Sequence, residues 1–172
     1  MHDPWNLEGH RLGALVSSLP LNESWQRRVL GLSKDRAKLQ VRELARGVLL
    51  LSRGLCLKLG LRAAAVQSSK ALEGAFAESM GQLFGFTLPA CFAGILPRIR
   101  RSDAQHLVGI WLGLSEHEQL IQTFDVDWYR NPRAIETLRG QSSEISRSAL
   151  NPESLAAALA ASASWLKSRL DG

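Results

Sequence analysis

The chain has 172 residues, the length of one ordinary domain and enough to bury a core without disulfide or metal staples. Its 45% apolar and 22% charged content excludes wholesale disorder, and 30 Leu and 20 Ala against 7 Val, 6 Ile and 3 Thr favour helix over sheet. The net charge of +5 belongs to one half: residues 1–70 hold 12 Lys/Arg against 5 Asp/Glu, residues 71–172 hold 9 against 11.

Residues 6–19 predict a short first helix with Leu12, Leu15, Val16 and Leu19 on one side, stopped by Pro20. Asn22 followed by Glu23 is an N-cap with an acid in the first turn, opening a second short helix that carries Trp25, Val29 and Leu30 to Gly31. Ser33 then caps the strongest periodic segment, about 34–59, where Ala37, Val41, Leu44, Val48, Leu51 and Leu55 recur at steps of three and four, with Gly60 as the expected C-cap. The opposite arc of that helix holds Lys34, Lys38, Arg42, Arg46 and Arg53, all within roughly 120° at about 100° per residue.

A helix over 62–85 follows, with Leu72, Phe76, Met80 and Leu83 as bulky positions beside a small-residue row at Ala64, Ser68, Ala71, Ala75 and Ser79. Gly81 to Leu96 is free of charge, and Arg98, Arg100 and Arg101 come next. That arrangement invites a membrane reading, but a spanning helix needs about 20 apolar residues and prolines break this one, so core packing is expected, with Leu88 to Leu96, bracketed by Pro89 and Pro97, as a buried connection or one short helical turn. Ser102 with Gln105 and Ser115 with Glu118 match capping boxes and predict two helix starts, the first presenting Leu107, Ile110, Trp111 and Leu114. Asn131-Pro132 and Asn151-Pro152 each set a capping amide before a proline suited to the first helical position. Residues 140–150 look like a mobile linker before a last helix bearing Leu155, Leu159, Trp165, Leu166 and Leu170.

The expected fold is an all-α, irregular bundle of about six to eight helices in a single domain, 1–172, with the 34–59 and 62–85 helices as a central antiparallel pair. Cys56 and Cys91 form no CxxC pair and no signal-peptide pattern opens the chain, so free, buried thiols in a cytoplasmic protein are expected.

No GxGxxG, GxxxxGK[ST] or GxSxG occurs, which removes the phosphate cradles and nucleophile elbow that depend on those glycines. His2, His10, His106 and His117 are scattered singly, without the spacing that sets two ligands on one helix face; no metal and no cofactor are expected. Asp125 and Asp127 are close enough for a carboxylate pair, but the neighbouring arginines favour ionisation of both. No catalytic residue is assigned.

Two clusters are candidate binding surfaces. Asp125, Asp127, Trp128, Tyr129, Arg130 and Arg133 concentrate the residue types that anchor protein interfaces between two predicted helices; the structural alternative has an Asp capping a turn, Trp128 in the core and an Arg paired with the acids. Lys34, Lys38, Arg42, Arg46 and Arg53 form an anion-facing stripe that suits an acidic protein, nucleic acid or anionic lipid, or is simply solvated. The sequence therefore reads as a non-enzymatic helical interaction module, an adaptor or small regulatory subunit with a protein partner and no transmembrane span. The second reading is a nucleic-acid-binding protein using the basic stripe.

Overall fold

Five of the helices begin where a short polar side chain stands in for the carbonyl that a first turn lacks. In the computed structural model, which describes residues 6–94, 100, 102–141 and 151–171, seven α-helices and no strand occur among the described residues: α1 Leu7–Ser17, α2 Glu23–Val29, α3 Lys34–Gln67, α4 Ser69–Phe84, α5 Ser102–Phe124, α6 Pro132–Gln141 and α7 Pro152–Asp171. Asn22 Oδ1 accepts from the Ser24 and Trp25 amides, and Ser33 Oγ from that of Arg36. Ser68, Asn131 and Asn151 do the same for α4, α6 and α7. Short 3-10 helices at Leu19–Leu21, Ala90–Gly94 and Trp128–Arg130 join them. The bundle is all-α, as the composition implies.

Several boundaries differ from expectation. Helix α3 does not stop at Gly60 but runs on to Gln67, because Ala63, Ala64 and Ala65 continue it and no left-handed turn forms before the Ser68 cap. Helix α5 is one piece from Ser102 to Phe124: Ser115 lies in its interior, where the capping-box spacing is met but nothing interrupts the backbone ladder. Helix α6 includes Gly140 and Gln141; the rest of the expected linker, 142–150, lies outside the described residues.

The central helix is α5, and not the α3–α4 pair. Helices α1, α3 and α7 all pack on α5, sharing a core of Leu21, Ala45, Leu55, Leu107, Ile110, Leu114, Trp165 and Leu166. Helix α1 lies closest. A Cβ at Gly109 would be 2.6 Å from His10 Cβ, and one at Gly113 would be 2.7 Å from the Leu15 backbone nitrogen, so only glycine admits this approach. His10 beside Gly109, Leu15 beside Gly113 and Ser18 beside His117 show that α1 and α5 run parallel. Buried Arg11 ties them further, through both oxygens of Glu8 on its own helix and through Glu116 on α5.

Helix α7 turns a small-residue face inward: Ala158 and Ser162 are buried with Trp165 and Leu166, Ser162 Oγ lies within hydrogen-bond distance of the Ala158 and Trp111 carbonyls, at 2.7 and 2.8 Å, and Leu159 is exposed. Helix α2 likewise buries Gln26, leaving Val29 and Leu30 exposed. Helices α3 and α4 fold back on one another through Ser68, burying Leu57, Leu61, Phe76 and Met80 in a separate cluster.

Of the stretch Leu88 to Leu96, Ala90–Gly94 forms the short helical turn, one of the two expectations, and 95–96 lie outside the described residues. It is not the buried connection of the other expectation: Ala93 is buried with Leu57, Leu61, Phe76 and Met80, but Phe86, Leu88 and Phe92 are exposed. Cys91 is exposed too, and Cys56 is half-buried; both are free thiols. No helix among the described residues is long and apolar enough to cross a membrane.

Candidate functional site

Three candidate places are the 125–133 segment, the basic arc of α3, and the buried His117.

In the 125–133 segment the structure divides the six named residues. Asp127 faces inward to α2, accepting from Ser24 Oγ at 3.2 Å and pairing with Arg28, while Asn22 Nδ2 donates to the Val126 carbonyl at 3.0 Å. Trp128 is buried against Leu15, Leu120 and Ala134. Asp125 adopts a left-handed backbone, φ 74°, that ends α5 and lets its carboxylate accept from the Val126 amide; aspartate tolerates that region better than most side chains. Tyr129 is half-buried, and Arg130 and Arg133 are exposed. The segment is pinned to α2 by Asp127 and Val126, with the two arginines outward.

On α3, Lys34, Lys38 and Arg46 are exposed and Arg42 and Arg53 half-buried. Arg46 pairs with Glu43 one turn away, and the buried Nε of Arg42 has no hydrogen-bond acceptor. Beside this arc run apolar residues. At about 100° per residue, Leu39, Leu50, Leu57 and Leu61 fall within roughly 40° of one another, and Arg46 lies at the edge of the row. Helix α4 covers Leu57 and Leu61, but Leu39 is 52% and Leu50 54% exposed.

The third place is His117, fully buried between Trp128 and Trp165, each edge-on to its ring at centroid distances of 5.7 and 5.3 Å. Ser18 Oγ lies 2.7 Å from Nδ1 and donates its own proton to the Leu15 carbonyl at 2.6 Å. The hydroxyl has one hydrogen, so Nδ1 must be the donor in their shared bond, which assigns the proton to Nδ1 and a bare lone pair to Nε2. No described group donates to that Nε2. Burial, and then the positive charge of Arg169, push the imidazole down to about 4, so it is neutral at pH 7. Arg169 sits 5.0 Å over the Trp165 ring.

Serine and histidine at hydrogen-bond distance invite comparison with a hydrolytic nucleophile and base, but the geometry runs the wrong way. Ser18 is sealed from solvent, its proton goes to a backbone carbonyl, and no carboxylate among the described residues orients the ring. Among the described residues no set of three or more His, Cys, Asp or Glu side chains is arranged to hold a metal ion. A sequence signal for His117 did exist: it continues the Leu107, Ile110, Leu114 row toward Leu120 at helical spacing, although its neighbours Glu116 and Glu118 give it the look of a solvated residue.

Comparison with known proteins found no matching family model, no matching curated protein and no matching solved structure.

Proposed function

We propose that this protein is a non-enzymatic interaction module whose outer α3 face holds an acidic, amphipathic helical segment of a protein partner. The observation that supports the reading is the exposed Leu39–Leu50 row lying alongside Lys38, Arg42, Arg46 and Arg53. A helix laid in such a place would put its own apolar stripe on the leucines and its carboxylates on the basic arc. A phosphate backbone would use the arginines but gain nothing from two half-exposed leucines, and aromatic rings for stacking bases are missing from the arc. A second copy of the same face would bring like charges together.

The test is fluorescence anisotropy with three labelled probes at low salt: a Leu/Glu amphipathic helical peptide, its Leu/Lys counterpart and a DNA duplex. The Leu/Glu peptide is expected to bind. Its affinity should fall about tenfold in a Leu39→Ala, Leu50→Ala variant, which removes exposed side chains and leaves the core intact. Duplex binding with no Leu/Glu binding transfers the function to nucleic acid, and no binding of either removes the proposal.

A further inference from the structure

A second concavity lies on another side of α3, between α1, α3 and α5. Helix α1 supplies His10, Gly13, Ala14 and Ser17, α3 supplies Val48 and Leu51, and α5 supplies His106, Ile110 and Leu114, with Leu21 closing one end. Each helix contributes residues spaced three or four apart, so each presents one face. Val48 and Leu51 lie far around α3 from Leu39 and Leu50, which makes this groove independent of the surface proposed above.

Its floor is core: Leu21, Ile110 and Leu114 are buried. Its volume is about 330 Å³, at the small end of the roughly 300–1,000 Å³ of ligand sites, which admits one aliphatic chain and not a two-chain lipid. From His10 to Ser17 helix α1 rises about 10 Å, and Leu21 lies beyond its end, so the groove runs along α1. The polar rings stand together: His10 and His106 stack with centroids 5.7 Å apart, one from α1 and one from α5. Because α1 and α5 run parallel, this pair sits toward the N-terminal ends of both helices, the end at which anions are favoured.

We propose that this groove binds a single-chain monocarboxylate, a medium-chain fatty acid, with its tail over Leu21, Ile110 and Leu114 and its carboxylate at the His10–His106 pair. The chemistry of the lining selects the class. Imidazole N–H groups donate to a carboxylate. No Asp or Glu lines the groove to receive an amine, and no Arg or Lys lines it to neutralise a phosphate or sulfate headgroup. An aliphatic tail gains about 0.8 kcal/mol for each methylene it buries, whereas a fully polar ligand would gain nothing from Leu51, which lines the groove and is 45% exposed.

Gly13 supplies a clean test, because a Cβ built there meets no atom within 4 Å. A Gly13→Leu side chain therefore enters the groove without disturbing the α1–α5 contact made through Gly109 and Gly113. Isothermal titration with decanoate, below its micelle concentration, should give saturable one-to-one binding. Gly13→Leu is expected to weaken it at least tenfold, and His10→Gln, His106→Gln by a similar factor, with the far-ultraviolet circular dichroism of both variants unchanged. Decyltrimethylammonium should bind at least tenfold more weakly than decanoate. Equal binding of the cation, decanoate affinity indifferent to Gly13→Leu, or no saturable decanoate binding overturns the proposal. A change of dichroism in Gly13→Leu alone leaves the histidine variant and the cation to decide it.

Discussion

At the scale of single residues, His117 is an imidazole held without charge between two indoles. Its ordinary value of 6.5 is pushed down to about 4 by burial and by Arg169, so between those values the unfolded chain binds a proton that the native state refuses. Protonation then favours unfolding, and the contribution is fully present above pH 6.5 and is lost as pH falls towards 4. The size is about 3 kcal/mol between pH 8 and pH 4. Carboxylates in general titrate over part of that range, so the informative quantity is a difference. In urea unfolding followed by tryptophan fluorescence, wild type should lose about 3 kcal/mol more than His117→Gln on going from pH 8 to pH 4. Parallel pH profiles would show that the imidazole charges without unfolding the protein. Asn22 is a second such residue, since its amide caps α2 through Oδ1 and holds the Val126 carbonyl through Nδ2. Asn22→Ala should cost about 1–3 kcal/mol of stability in the same measurement, and a loss within error of zero would show that water replaces both bonds.

At the scale of the helices, glycine separates what the sequence discloses from what it conceals. Gly60 and Gly113 both look like interruptions of an apolar pattern, yet both are inside helices, Gly60 facing open space and Gly113 pressed against the α1 backbone. Their alanine variants should therefore move in opposite directions: Gly60→Ala stabilises by up to about 1 kcal/mol, while Gly113→Ala destabilises by about 1–3 kcal/mol because the Leu15 nitrogen and Arg11 carbonyl cannot withdraw. Thermal melts decide it, and a destabilising Gly60→Ala would place that residue in a left-handed cap after all. The caps at Asn22, Ser33, Asn131 and Asn151 were legible because a capping side chain acts within three residues of itself. So was the all-α class, which composition alone carries. The false start at Ser115 and the false stop at Gly60 were not avoidable from spacing, since the same residues serve caps, interiors and helix crossings. In the 125–133 segment the concentration of interface-type residues was visible, but the partner of Asp127 was not, because Arg28 is remote in sequence and is brought there by the packing of α2. His117, at the inward face of α5, was legible only to a reader who continued the Leu107–Leu114 periodicity through two glutamates.

At the scale of the whole molecule, the separation of the α4 cluster from the core on α5, two of the three apolar clusters, predicts two levels of stability. Helices α1, α3, α5 and α7 share one core, whereas α4 is held by α3 and by the short 3-10 helix at Ala90–Gly94. Elements with few neighbours open at lower free energy than the global transition, as units. Amide hydrogen exchange under native conditions should accordingly find α4 exchanging before α5, α7 and the first half of α3. The Leu57–Leu61 end of α3 should follow α4, since losing that helix exposes those leucines. Phe76 is the largest side chain in the α4 cluster and is fully buried, so Phe76→Ala, which removes about 3–5 kcal/mol at a well-packed site, should accelerate exchange throughout α4 and leave the α5 amides nearly unchanged. Uniform acceleration in α4 and α5 would mean that the two clusters are one cooperative unit. The separation also bears on the proposed docking face. Leu39 and Leu50 continue the row that α4 covers at Leu57 and Leu61, so an opened α4 lengthens the apolar surface offered to a partner by two leucines. A partner helix long enough to reach them would compete with α4 for the same seam, and its binding should then speed α4 exchange while protecting Leu39 and Leu50.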